Sequence, residues 1–132
     1  SYREVGVMQF GAVDPSGERF FVGNAVRRRL EVFSLPDLEL LGTRAIDPGS
    51  YNLFLDPILG LVGTSHFFSE ALLFTDMETL EGRGRLVVGP KPRAALTWPG
   101  SSSLFGASAC GIFHADLRDV AGGVSAGASP VR

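Results

Sequence analysis

A proline recurs at a constant interval in this chain of 132 residues, at Pro15, Pro57 and Pro99. The interval is 42 residues both times. Each proline follows a short apolar stretch and precedes a turn of small residues, after which a second apolar stretch begins. A fixed interval of about 20 to 50 residues is typical of proteins built from repeated units. We therefore predict a single domain of three similar units, at approximately residues 4–46, 47–89 and 90–132.

Each unit contains short apolar runs of four to seven residues, rich in Val, Leu and Phe and separated by Gly, Pro, Asp and Ser. Such runs are typical of strands, because an amphipathic helix needs about ten residues or more. The second and third runs carry a glycine and a phenylalanine, respectively: Gly23 and Phe33, Gly63 and Phe74, Gly106 and Phe113. Four short antiparallel strands in about 40 to 45 residues are typical of a β-propeller blade. We predict an all-β fold of about three four-stranded antiparallel propeller blades, with a β-sandwich as the alternative.

The first unit, VDPSGERFFVGNAVRRRLEVFSLPDLELLG, resembles one repeat of the YVTN-type (surface-layer-like, WD-repeat-like) β-propeller family. The family pattern has a turn containing Pro, Asp and Gly, a strand close to RLYVAN, and a strand that ends in a short acidic turn. The matching positions are Gly17, Arg19, Phe21, Val22, Asn24, Val32 and Leu38. The resemblance is strongest over residues 13–42 and weak in the other two units. It implies a propeller architecture and leaves the ligand open, since the family hosts many functions.

Three blades are too few for a closed ring, because closed propellers typically have about four to eight. An open set leaves two blade faces without a neighbour, and exposed apolar surface is unfavourable in water. We therefore expect the ring to be completed by a second copy, another chain or further sequence. A protein partner or self-association is predicted, and a dimer would supply six blades.

Composition excludes several classes of partner. Twelve basic and fourteen acidic residues give a net charge of −2, so we predict no nucleic-acid binding. No apolar run approaches the roughly 18 residues that cross a bilayer, so no membrane insertion is expected. Cys110 is the single cysteine and forms no intrachain disulfide. A single cysteine does not indicate in which cellular compartment the protein resides.

The candidate binding surface is the end of the blades that carries the loops between second and third strands and the linkers between blades. Its candidate ligand- or partner-binding residues are Arg27, Arg28, Arg29, His66, Phe67 and Lys91. The arginine run would hold a carboxylate or phosphate through forked hydrogen bonds, and His66 beside Phe67 would form a pocket wall. A solvated loop tip and a loop histidine beside core phenylalanines are the alternatives.

No catalytic residues, metal site or cofactor are predicted. His114 and Asp116 share one side of a strand, but zinc needs three or four ligands. Cys110 is predicted to be a small buried residue, and the sequence lacks the glycine-rich loops that cradle phosphates. We predict a non-catalytic scaffold or protein-interaction module. The alternative is part of a propeller that binds a small molecule or supports an enzyme active site in its central funnel.

Overall fold

The computed structural model describes residues 8–120, 126–127 and 129–130, and places three antiparallel sheets side by side. The first sheet contains β1 (Met8–Val13), β2 (Arg19–Asn24), β3 (Arg29–Ser34) and β4 (Leu40–Ala45). The second contains β5 (Ser50–Asp56), β6 (Leu61–His66), β7 (Ala71–Asp76) and β8 (Gly82–Val87). The third contains β9 (Ala95–Thr97), β10 (Ser103–Ser108), β11 (Gly111–Asp116) and β13 (Ser129–Pro130), whereas β12 (Ala126–Gly127) is a fifth, parallel edge strand of the second sheet.

Each sheet is one propeller blade, in which consecutive strands pair as neighbours. The third blade departs from this order because β12 pairs parallel to β8 of the second blade before β13 joins β11. A short 3₁₀ turn, Leu117–Asp119, follows β11. The innermost strands β1, β5 and β9 contact each other in succession. The predicted all-β fold of three antiparallel blades is therefore confirmed.

The recurring prolines occupy the same turn in every blade. Pro15, Pro57 and Pro99 lie between the first and second strands of their blades. A glycine with a left-handed backbone follows each of them, with φ of 75° at Gly17, 66° at Gly60 and 74° at Gly100. Glycine is favoured there because residues with a Cβ are strained at such angles. The 42-residue interval thus marks one structural turn repeated three times.

The blades have two ends of different construction. The end that carries the turns between second and third strands and the linkers between blades is called the upper rim here. Backbone hydrogen bonds join these parts: Ile46 N–H donates to Arg28 O (3.0 Å), Phe67 N–H to Gly49 O (2.8 Å) and Val88 N–H to Glu70 O (2.8 Å). The opposite end, with the proline turns and the turns between third and fourth strands, is the lower rim. This arrangement follows from the antiparallel order.

Two apolar cores lie between the blades. The core between the first and second blades consists of buried aliphatic and aromatic side chains: Phe21, Leu30, Val32, Ile46, Leu53, Val62, Leu73 and Met77. The core between the second and third blades is larger: Phe54, Leu61, Leu72, Phe74, Leu86, Val88, Ala95, Leu104, Phe113, Ala115, Leu117 and Val120. Burial of these faces against each other stabilises the fold, since apolar burial is worth about 25 cal/mol per Å².

The register refines the predicted repeat. Gly63 pairs with Phe74 and Gly106 with Phe113. Each glycine makes room for a phenylalanine ring, which is Phe54 in the second blade and Phe113 in the third. In the first blade Phe33 pairs instead with Phe20, and Gly23 pairs with Leu30. The glycines that look equivalent in the sequence are therefore equivalent in only two blades. The prediction that Cys110 is buried is wrong, because its turn projects into solvent at the upper rim.

Arg19 joins the first two blades at the lower rim. Its guanidinium donates to Asp14 Oδ2 (2.6 and 2.9 Å), to the backbone oxygen of Met77 (3.0 Å) and to Glu78 Oε1 (2.8 Å). Burial alone would raise the pKa of Asp14, but hydrogen bonds from Arg19 and from the Ser16 amide outweigh it and lower the pKa. The arginine thus fixes the proline turn of the first blade to the second blade.

Replacing this arginine tests its contribution. We expect Arg19→Met to lower the free energy of unfolding by about 1 kcal/mol at neutral pH, because charge-assisted hydrogen bonds are lost while the aliphatic stem is kept. Urea unfolding measures the change. The matched control is Arg118→Met, which removes the ion pair that joins Arg118 to Asp116 within the third blade. An equal loss in the control would contradict the bridging role of Arg19.

Candidate functional site

The six sequence-predicted residues all lie at the upper end of the blades, but only some reach the surface. Arg27 and Arg28 are exposed at the turn of the first blade, and Lys91 is exposed on the linker before the third blade. Phe67 is partly exposed on the turn of the second blade. His66 is fully buried, with 0% of its surface accessible. The turn and linker positions are thus available to a partner, whereas the His66 ring is not.

Arg29 is engaged within its own blade. Its guanidinium Nε donates to Glu31 Oε1 at 3.2 Å, and Asn24 Nδ2 donates to the same oxygen at 2.6 Å. Glu31 is 1% exposed, so its carboxylate depends on these donors in place of water. The three consecutive arginines therefore differ: Arg29 binds a buried carboxylate, and Arg27 and Arg28 project from the turn.

Two aromatic rings and an ammonium group meet on the second blade's turn. Phe67 and Phe68 pack edge to face, with ring centroids 5.3 Å apart. Lys91 Nζ lies 5.8 Å from the centroid of the Phe67 ring, within the range of a cation–π interaction. Phe68 remains 79% exposed. The structure thus brings together the predicted residues Phe67 and Lys91, and adds Phe68.

His66 lies beneath this surface, beside an ion pair at the boundary of the first two blades. Arg85 donates two hydrogen bonds to Asp47, with Nη1 to Oδ2 at 2.6 Å and Nη2 to Oδ1 at 3.0 Å. These bonds are the main reason that the pKa of Asp47 lies below its ordinary value. Neither ring nitrogen of His66 has a hydrogen-bond partner among the described residues. Burial lowers the pKa of His66 to about 4, Asp47 opposes this shift, and Arg85 adds to it.

The third blade carries the residues considered for a metal site. The His114 ring packs against Phe105 with centroids 4.9 Å apart, and Asp116 binds the guanidinium of Arg118. Hydrogen bonds from the Arg118 side chain and backbone lower the pKa of Asp116 to about 2. Among the residues that the structure describes, no group of three or more His, Cys, Asp or Glu side chains is arranged to hold a metal ion.

Equivalent cross-strand triplets line one face of every blade. The triplet is Ala12, Phe21 and Val32 in the first blade and Phe54, Gly63 and Phe74 in the second. In the third blade it is Leu96, Phe105 and His114. The first two triplets face the next blade, and Phe21, Val32, Phe54 and Phe74 are buried there. The side of the third blade that carries its triplet is called the open face here.

The open face of the third blade is apolar and accessible. Leu96 is 69% exposed, Phe105 is 41% exposed and Ile112, on the same face, is 62% exposed. Trp98 packs against Phe105 with centroids 6.3 Å apart. A shallow cavity of about 330 Å³ lies here, lined by Leu96, Thr97, Trp98, Pro99 and Phe105. Sequence reasoning did not find this surface, although the 42-residue interval relates Leu96 to Ala12 and Phe54.

Comparison with solved structures agrees with this architecture. The chain is similar to Kuenenia stuttgartiensis hydrazine synthase, with a TM-score of 0.80 and 13% identity over 96% of this chain and 37% of that one. It is also similar to U3-55K, with a TM-score of 0.77 and 9% identity over 91% of this chain and 39% of that one. The similarity to the RRP9 WD40 repeats has a TM-score of 0.79 at 8% identity, over 91% of this chain and 38% of that one.

The chain has a β-propeller fold. Its predicted propeller architecture is confirmed by these structural neighbours, and at such identities the likeness shows the fold alone. The chain spans less than two fifths of the length of each of them. No protein-family model matches the sequence, and no curated protein matches it either. The structure contains no helix, within the described residues, that is long and apolar enough to cross a membrane.

Proposed function

We propose that this chain is a non-catalytic part of a β-propeller that acts as a scaffold for protein–protein interaction. The open face of the third blade receives a further blade, and the upper rim is presented to a protein partner. The observation that carries this proposal is the triplet Leu96, Phe105 and His114: Leu96 and Phe105 are exposed, although the corresponding triplets of the first two blades face a neighbouring sheet.

The face of the added blade is defined by the two interfaces within this chain. The second blade presents Leu53, Val62 and Leu73 to the first blade, and the third presents Ala95, Leu104 and Phe113 to the second. We therefore expect the added sheet to present a row of aliphatic or aromatic side chains to Leu96 and Phe105. A second copy of this chain, another chain and further sequence of the same chain are the three sources of such a blade.

Light scattering coupled to size-exclusion chromatography tests this assignment. We expect the purified chain either to form a dimer of twice 14.0 kDa or to remain a monomer that binds a hydrophobic dye at its open face. Phe105→Ser should lower dimer formation or dye binding severalfold, because it removes the central ring of that face. Val26→Ser is the matched control, since Val26 is 66% exposed at the upper rim, away from the open face.

A monodisperse monomer that melts cooperatively and binds no dye would contradict the proposal. Equal effects of the two serine variants would also count against it, because dimer formation or dye binding would then not depend specifically on the open face. Dimer formation that Phe105→Ser abolishes would identify the second copy as the source of the added blade.

We further propose that the chain belongs to the YVTN-type propellers, on the basis of the resemblance over residues 13–42. The support is that the matching Gly17 and Arg19 form the proline turn and its ion pair in the first blade. Sequencing the adjoining reading frame tests this assignment. We expect further units of about 42 residues in which a Pro- and Gly-containing turn precedes an RLYVAN-like strand. Adjoining units that lack this strand would contradict it.

A further inference from the structure

Charge is separated between the two rims. The lower rim carries ten acidic and three basic residues, a formal charge of −7: Asp14, Glu18, Arg19, Asp37, Glu39, Asp56, Asp76, Glu78, Glu81, Arg83, Asp116, Arg118 and Asp119. The upper rim and the adjoining strands carry six basic and three acidic residues, a formal charge of +3: Arg27, Arg28, Arg29, Glu31, Asp47, Glu70, Arg85, Lys91 and Arg93. The net charge of the whole chain, −2, does not reveal this separation because the charges of the two rims partly cancel.

Ion pairs leave the surface of the upper rim cationic. Two of its three acidic residues are engaged, because Glu31 binds Arg29 and Asp47 binds Arg85. Four exposed basic side chains form no ion pair within the described part of the chain: Arg27, Arg28, Lys91 and Arg93. Of the three acidic residues at this rim, Glu70 is the exposed one. A positive potential at this rim attracts a partner of opposite charge and accelerates its association.

The cationic side chains flank an exposed aromatic pair. Phe67 and Phe68 project from the turn of the second blade, between the turn that carries Arg27 and the linker that carries Lys91. Gly49 lies directly below Phe68, since a Cβ at that position would lie 2.8 Å from the ring. The ring is therefore supported by the linker backbone, which lowers the entropic cost of burying it against a partner.

We propose that the upper rim binds an acidic protein segment that carries an apolar side chain. The carboxylates of that segment pair with Arg27, Arg28, Lys91 and Arg93, and its apolar side chain packs on Phe67 and Phe68. This inference rests on the proposed function and specifies the chemistry of the partner. Arginine contributes forked hydrogen bonds to carboxylates, and exposed aromatic rings are frequent anchors of interfaces.

An acidic protein segment is favoured over nucleic acid by the charge of the whole molecule. Nucleic-acid binding draws its affinity from neutralising many phosphates along an extended backbone. Four exposed cations on one rim, opposite a rim of formal charge −7, provide a small positive area on a molecule of net charge −2. A short carboxylate-rich segment fits within that area, whereas a long polyanion extends into the negative field.

Fluorescence anisotropy tests this proposal with a labelled peptide of eight glutamates around a central phenylalanine. We expect saturable binding that weakens as salt is raised from about 50 to 300 mM, because screening shortens the electrostatic range. Arg27→Glu is expected to weaken binding by about tenfold or more, and Phe68→Ser by severalfold. A peptide in which serines replace the glutamates should bind far more weakly, because it carries no charge to pair with the upper rim.

Arg118→Glu is the matched control because it makes the same change in net charge on the exposed lower rim. Its effect should stay within about twofold. The proposal is overturned if the acidic peptide does not bind, if both charge reversals weaken binding equally, or if a single-stranded oligonucleotide of equal length binds more tightly with the same dependence on Arg27. If the chain binds the peptide but its open face receives no further blade, only the proposal of ring completion is refuted. A chain that adds a blade without binding the peptide would refute only this inference.

Discussion

Acidification from pH 6.5 to pH 4 is expected to lower the free energy of unfolding by about 3 kcal/mol through His66 alone. The folded pKa of His66 is about 4, below the ordinary value of 6.5, so the unfolded chain takes up the proton first. The stability associated with neutral His66 is fully present above pH 6.5 and falls as the pH is lowered. The loss levels off below pH 4, where both states are protonated.

The environment of His66 explains the size of this effect. The ring is completely buried and its nitrogens have no partner among the described residues, so protonation places an uncompensated charge in the interface between two blades. The charged groups that act on it are Asp47 and Arg85. Asp47 favours the protonated ring, but its carboxylate is engaged by Arg85, whose own charge opposes protonation.

Urea unfolding between pH 7.5 and pH 4 measures this dependence. His66→Leu should remove most of the slope between pH 6.5 and pH 4, because no titrating group remains at that position. His114→Gln is the matched control, since it removes the other histidine of the chain, which lies on the third blade outside the buried site around His66. An unchanged slope in His66→Leu would show that other groups cause the acid sensitivity.

A single methyl group at Gly63 is expected to destabilise the chain by about 3 kcal/mol. A Cβ at this position would lie 2.1 Å from Phe54 Cζ, far inside van der Waals contact. The Phe54 ring cannot move away freely, because it packs edge to face on Phe74 with centroids 5.9 Å apart in the core between the second and third blades. Gly63→Ala must therefore displace an aromatic pair of the second blade that packs in the core against the third.

Thermal and urea unfolding of Gly63→Ala measure this loss. Combining it with Phe54→Leu should be less destabilising than the sum of the two changes, because the smaller side chain makes room for the methyl group. Gly60→Ala is the control: its φ of 66° is strained for alanine, but nothing lies within 4 Å of the added Cβ. We expect it to cost about 1 kcal/mol. Additive effects of Gly63→Ala and Phe54→Leu would refute the steric explanation.

The sequence predicted the fold correctly because its signals are local and repeated. Apolar runs of a few residues define strands, and the proline turns at 15, 57 and 99 fix the first hairpin of each blade. The antiparallel order then places the intervening turns and linkers at one rim, where Arg27, Phe67 and Lys91 lie. Resemblance to the YVTN-type repeat agreed with this architecture, and family membership stays a prediction.

The candidate site was predictable only in part, because burial and pairing depend on neighbouring blades. Arg29 looks like Arg27 and Arg28 in the sequence, yet Glu31 two residues further along the strand engages it. His66 looks like a loop residue, but it ends β6 and lies under the linker between two blades. Cys110 was expected to be buried because cysteine is a small apolar residue. It lies instead in the two-residue turn between β10 and β11, where it is exposed to solvent.

The sequence by itself determined the strands, the repeated proline turn and the number of blades, since these depend on residues close together in the chain. Only the tertiary structure decided which surfaces are covered. The same repeat position holds a buried Phe21 in the first blade and an exposed Phe105 in the third. The physical reason is that a strand's pattern defines an apolar face, whereas the burial of that face requires another sheet to pack against it.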